Sequence, residues 1–276
     1  METKLSPLSW NMVVHKWLRV PYNLHVRAFK RSKQAKTTIL FIHGLGSTGK
    51  MWTPVINKLS SESNGKHNIV SVDLLGSGKS PKPYWETYNA KLQARALLRT
   101  YLKLRLRTPL IVVGHSLGSL VAIEFAKRYP LLTKKLILCS PPMYRPASDV
   151  PGFSRDKLLP LTYEKLLASP KLVMKLYNYG KVTKLDPSLE LTEDNMPMFA
   201  ATMRSSIINQ TATQDIRKLK IPIHLIHGAF DPVVVKSNLI KLQKAHPNIT
   251  LTTVAASHPL NDAYITSILG DIEQGQ

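Results

Sequence analysis

From residue 38 onward, short unbroken apolar runs alternate with longer stretches in which apolar residues recur at helical intervals. The runs occupy residues 38–42, 69–72, 110–113, 136–138, 221–226 and 250–254. Unbroken runs rich in β-branched residues, without polar alternation, are the pattern of strands covered on both faces. Between them, residues 87–106, 117–129, 235–245 and 262–269 carry helical spacing. Strand-helix alternation of this kind predicts an α/β class, with a mostly parallel central sheet and helices on both faces. Upstream, Tyr22, Leu24, Val26 and Ala28 alternate with Asn23, His25, Arg27 and Phe29, the period of a half-buried strand. Residues 12–19 offer it a partner across Pro21, Tyr22 and Asn23, so an opening hairpin is expected.

One segment breaks the rhythm. Residues 144–213 contain no strand pattern but two or three helical ones, separated by Pro and Gly. Four of the eight methionines fall there (Met174, Met196, Met198 and Met203), with Phe153, Tyr163, Tyr177 and Phe199. Flexible and aromatic side chains suit an adaptable apolar cavity. The expected division is a core of residues 1–143 and 214–276 with a helical cap at 144–213. Phe153, Tyr177, Met196, Phe199 and Met203 are its candidate pocket residues.

The charge balance changes the picture little. With 38 Lys+Arg against 17 Asp+Glu the formal charge is +21. The cations are dispersed, as at Lys30, Arg31 and Lys33, then Lys103, Arg105 and Arg107, without a long like-charge run or an aromatic-basic RNA motif. A solvated basic surface is expected, with no specific nucleic-acid site and at most weak attraction to anionic surfaces. The single cysteine, Cys139, ends an apolar run and reads as a packing residue. No metal-ligand spacing, secretion signal or apolar stretch of about 20 residues is present, which sets a cytoplasmic expectation without metal or cofactor.

Two glycine-rich segments invite nucleotide readings. Gly44, Gly46 and Gly49 match the dinucleotide spacing, and Lys50 follows, but Met51 stands where a phosphate loop needs Ser or Thr. Gly78-Lys79-Ser80 would need a glycine where Asp73 stands. A stronger motif is Gly114-His115-Ser116-Leu117-Gly118, between an apolar run and a helical stretch. In that setting the serine sits on a sharp strand-to-helix turn, its hydroxyl pushed into the open. The Leu117 N–H is left at the helix start, aimed where negative charge would develop. A nucleophilic serine needs a base and an orienting carboxylate. His258 and Asp231 each follow a predicted parallel strand, whose ends share one edge of the sheet.

Four segments carry a family resemblance: His43-Gly44-Leu45-Gly46, residues 73–78, residues 114–118, and residues 227–231. With them the chain resembles the α/β-hydrolase superfamily over nearly its whole length. The resemblance implies a Ser116, Asp231 and His258 triad, with the Leu45 amide joining that of Leu117 in an oxyanion hole. It makes the Asp73 loop structural, His43 and His115 supporting residues, 144–213 a cap, and Asp149 a second candidate acid. Ala255-Ala256-Ser257 stands before His258 where relatives often have glycine. The expected activity is a serine hydrolase acting on a small acyl substrate, foremost a carboxylesterase for short- to medium-chain esters. Amidase, thioesterase, lipase or carbon–carbon hydrolase chemistry would use the same triad. A non-catalytic binding protein on the same fold is the alternative of a different class.

Overall fold

The computed structural model describes residues 10–150, 152–182 and 188–274. Seven strands form one sheet in the order β1-β3-β2-β4-β5-β6-β7. They are β1 (His25–Lys30), β2 (Thr37–Ile42), β3 (His67–Asp73), β4 (Leu110–His115), β5 (Thr133–Cys139), β6 (Ile223–Gly228) and β7 (Ile249–Val254). Strand β1 runs antiparallel to β3, and all other pairs are parallel.

The unbroken apolar runs have a direct cause. Alternate residues of β2, Leu40 and Ile42 against Ile39 and Phe41, enter different cores on opposite faces of the sheet. Leu40 lies opposite Val70 of β3 and Val112 of β4, which extends its layer across three strands. The helices, in chain order, are α1 (Trp10–Met12), α2 (Thr53–Glu62), α3 (Ala90–Lys103), α4 (Leu117–Arg128), α5 (Arg155–Leu167), α6 (Pro170–Val182), α7 (Met196–Thr202), α8 (Ala212–Asp215), α9 (Lys236–Ala245) and α10 (Asp262–Gln274). Leu97 and Tyr101 of α3, Leu120 of α4 and Leu239 of α9 cover one face. Val55 and Leu59 of α2, with Tyr264 and Ile268 of α10, cover the other. Helix α3 begins where the Asn89 side chain accepts the Leu92 N–H at 2.9 Å, one of the amides that a helix start leaves without a partner.

The opening hairpin is not formed. Residues 10–17 are helical, with a π-turn at Val13–Trp17 following α1, and β1 starts at His25 and pairs with β3. The β-rich composition of residues 12–19 loses to tertiary anchoring. His15 stacks on Tyr22 at 3.9 Å between ring centroids, and buried Tyr22 donates to Glu86.

Between β5 and β6, α5, α6, α7 and a π-turn at Met203–Ile208 build a helical cap region, with no strand among its described residues. Positions 151 and 183–187 of that segment, like positions 1–9 and 275–276 of the chain, lie outside the described residues. The cap is tied down by polar contacts: the Ser206 hydroxyl donates to the Tyr88 carbonyl, the Glu190 N–H to Gly46, and the Asn238 amide to buried Asp156.

Candidate active site

The turn between β4 and α4 is forced by sterics on both sides of Ser116. Its φ of 52° and ψ of −119° lie where non-glycine residues are rare and strained. A Cβ on Gly114 would meet the Gly118 carbonyl oxygen at 2.5 Å, and one on Gly118 would meet that of Ile42 at 2.2 Å. Only glycine permits this approach of chain to chain. The turn is pinned by the Ser116 N–H donating to the Cys139 carbonyl and the Ser119 hydroxyl to that of Gly114, both at 2.9 Å.

Three side chains from the ends of three strands converge. Ser116 Oγ lies 3.1 Å from His258 Nε2, and His258 Nδ1 lies 2.9 Å from Asp231 Oδ2. The other Asp231 oxygen accepts the N–H groups of Val233 and Val234 at 2.8 and 3.2 Å. Burial pushes the Asp231 carboxyl up. The His258 bond and charge, the Val233 amide and Ser140 outweigh that, holding it below the usual carboxylate range. An ionised carboxylate can only accept, so Nδ1 carries a proton and donates to Asp231, which leaves Nε2 facing Ser116 Oγ. His115 Nε2 lies 2.9 Å from the His258 carbonyl oxygen, a bond that steadies the loop carrying the imidazole.

Leu45 and Leu117 flank the serine, one after β2 and the other at the first position of α4. Neither N–H has a hydrogen-bond partner among the described residues. His43 is fully buried between its neighbours: Nε2 accepts the Leu74 N–H at 2.8 Å, and Nδ1 donates to the Gly44 carbonyl at 2.7 Å. Burial lowers its pKa to about 4, so the ring is neutral near pH 7.

The two glycine-rich segments serve a carboxylate of the chain itself. Asp73, with a fully buried side chain, accepts from Arg27 Nη2 at 2.6 Å and from the N–H groups of Gly49 and Lys79 at 2.9 and 3.0 Å. Burial raises its pKa, but Arg27 and the two amides outweigh this and hold it below the usual range. A Cβ on Gly78 would lie 2.3 Å from this carboxylate. Two of the amides a phosphate would use are therefore occupied, and the Asp73 carboxylate beside them opposes a second anion. Asp149 is exposed in a 3₁₀ turn, bonded to the Ser148 hydroxyl rather than to a histidine.

Over the serine lies an apolar cavity of about 410 Å³, roofed by the cap. Tyr177, Phe199 and Met203 line it, the last two one helical turn apart. Phe153 does not: it follows Gly152, whose φ is 62°, and stands 89% exposed outside the cavity. Met196 is buried at the start of α7, short of the cavity wall. Sequence reasoning missed Leu166, Val173, Leu176, Leu189 and Ile207, which do line it. Residues 173, 176 and 177 recur at helical intervals along α6, a signal passed over in favour of methionines and aromatics.

The family profile for the alpha/beta hydrolase fold matches residues 37–262. The chain belongs to the α/β-hydrolase family. An esterase from Exiguobacterium antarcticum superposes with a TM-score of 0.71 at 17% identity, covering 91% of this chain and 95% of that one. The enol-lactonase from Burkholderia xenovorans gives 0.70 at 16%, with 91% and 95% covered. These likenesses establish the shared fold. In sequence, the probable lysophospholipase BODYGUARD 3 of Arabidopsis thaliana is 37% identical over 110 residues, 40% of this chain and 22% of that protein. The chain thus matches about a quarter of that relative's length or less. No helix among the described residues is long and apolar enough to cross a membrane, and no acidic, histidine or cysteine cluster there could hold a metal ion.

Proposed function

We propose that this member of the hydrolase family is a carboxylesterase for short- to medium-chain acyl esters, working through Ser116, His258 and Asp231. The observation that carries the reading is the continuous relay from Asp231 through His258 to Ser116 Oγ, lying directly beneath an apolar cavity. In the first step His258 Nε2 takes the Ser116 proton as Oγ bonds to the substrate carbonyl carbon. The carbonyl electron pair moves onto oxygen, where the Leu45 and Leu117 amides receive it. As the tetrahedral centre collapses, His258 returns the proton to the departing alcohol, leaving an acyl-serine. Water deprotonated by His258 then attacks the acyl carbon and releases the acid. Asp231 stays ionised throughout and stabilises the imidazolium.

The lining favours an acyl chain over a charged group. Leu166, Val173, Leu176 and Phe199 surround the serine with apolar surface, while the Tyr163 hydroxyl supplies a polar point on one wall. The described lining residues include no lysine or arginine to seat an anionic substrate group. The named activities of the esterase and the lysophospholipase relatives are in keeping with ester cleavage. The test is hydrolysis of p-nitrophenyl esters from acetate to dodecanoate by wild type and Ser116→Ala. Turnover should fall by about 10⁴–10⁶ in the variant. Activity near wild type in Ser116→Ala would overturn the scheme. Serine-dependent cleavage of amides or thioesters alone would keep the triad and replace the substrate class. Tight binding without turnover of any of them would favour a binding protein.

A further inference from the structure

A second surface of the molecule, remote from the serine, concentrates positive charge without counter-charge. Residues 10–61 hold nine Lys+Arg and no Asp or Glu, and residues 87–123 hold six and none. The fold brings these two segments together. On α3, Arg95, Arg99 and Lys103 recur every four residues and so share one helix face. Their groove, bordered by Pro21 and Asn23, meets at Leu102 a second one lined by Arg31, Lys33, Arg105 and Arg107. Among the described residues none of these seven cations is in an ion pair. Three make hydrogen bonds that leave the charge unneutralised: Arg31 to the Arg105 carbonyl, Arg95 to the Arg19 carbonyl, and Arg99 to the Asn23 side chain.

Apolar side chains stand out of the same face. Leu102 is 58% exposed between the two grooves. The Arg95–Arg19 bond holds the opening segment against α3, and that segment carries Trp17 and Leu18 at 70% and 65% exposure. These are large costs for a surface facing only water, and an indole beside cations is the chemistry of a membrane–water interface.

We propose that this face docks on an anionic lipid surface, its cations against lipid phosphates and carboxylates and Trp17, Leu18 and Leu102 entering the headgroup layer. The charge complementarity selects an anionic partner, and the exposed aliphatic and indole groups favour a bilayer over a polynucleotide. Arg31 and Lys33 precede β2, and Arg105 and Arg107 precede β4, so the patch gathers where parallel strands begin, whereas Ser116 lies where β4 ends. The six residues of β4 separate the two edges by about 20 Å. Docking therefore leaves the catalytic cavity uncovered, and binding and catalysis can be measured apart.

The experiment is co-sedimentation of the full chain with vesicles of phosphatidylcholine, with and without 30% phosphatidylserine. Wild type should partition at least tenfold more strongly onto the anionic vesicles and lose this preference in 0.5 M salt. A variant with Arg99, Lys103, Arg105 and Arg107 all changed to Glu should lose at least tenfold. A matched variant with Lys220, Lys236, Lys241 and Lys244 changed to Glu, just before β6 and on α9 toward the other end of the sheet, should stay within twofold of wild type. Thermal melting establishes that each variant is folded. Trp17→Ala should weaken anionic binding at least threefold without changing its salt dependence. Equal binding to both vesicle types would overturn the proposal, as would equal loss in both charge variants. So would binding of RNA, abolished in the first variant, without binding of vesicles. None of these outcomes depends on ester hydrolysis, so failure here and failure of the esterase reading are distinguishable.

Discussion

The buried imidazole of His43 ties stability to pH, with a size that follows from its surroundings. The ring is neutral in the folded state because it is fully buried, with a pKa lowered from 6.5 to about 4. In the unfolded chain it titrates near its ordinary value. Between these two values the unfolded state binds the extra proton, so stability must fall as pH falls. The contribution is fully present above 6.5 and is lost progressively down to about 4. Each pH unit inside that window is worth about 1.4 kcal/mol. Between pH 7 and pH 5 the loss from this one residue is therefore about 2 kcal/mol. The perturbation is His43→Gln, whose amide oxygen can accept the Leu74 N–H while carrying no titratable proton. Urea denaturation of both proteins at pH 7 and pH 5 isolates the effect as a difference of differences. His67 and His227, also lowered by burial, are present in both and cancel. The fall should be about 2 kcal/mol smaller in the variant, whatever the substitution does to absolute stability. Equal falls in the two proteins would refute the assignment of His43 as a buried neutral base.

Two further substitutions test the frame around the serine. Gly118→Ala places a Cβ 2.2 Å from the Ile42 carbonyl, backbone that cannot move without shifting β2. It should destabilise by about 3 kcal/mol or leave the protein insoluble, read by denaturant midpoint and soluble yield. A wild-type midpoint would show the close approach to be illusory. Arg27→Ala strips Asp73 of its only salt-bridge partner among the described residues while leaving the carboxylate buried. The expected loss is about 3–5 kcal/mol at pH 7, and Asp73→Asn in the same background should recover part of it. An Arg27→Ala midpoint unchanged from wild type would mean that the two amides suffice.

Much of the fold was written locally. A strand buried on both faces has nowhere to put a polar side chain, so Ile39 to Ile42 and Leu110 to Val113 are recognisable without knowing their neighbours. The Gly114–Gly118 turn is equally local, because its geometry follows from which residues lack a Cβ. The meeting of Asp231 and His258 with Ser116 was legible at one remove, since parallel strands deliver their ends to a common edge. The remainder depended on packing. Residues 12–19 have the composition of a strand, but Tyr22, on which His15 stacks, is itself held by Glu86 from 64 residues further on, a contact outside any local window. Phe153 and Phe199 are both cap aromatics, and only the packing of the cap on the core turns one outward and the other onto the cavity. Likewise the cations at 31–33 and 95–107 look dispersed along the chain and become one surface through the sheet order. Sequence determines which backbone conformations and which degree of burial each segment prefers. Only tertiary structure decides which distant segments share a face, because that depends on contacts whose partners are set by the whole chain.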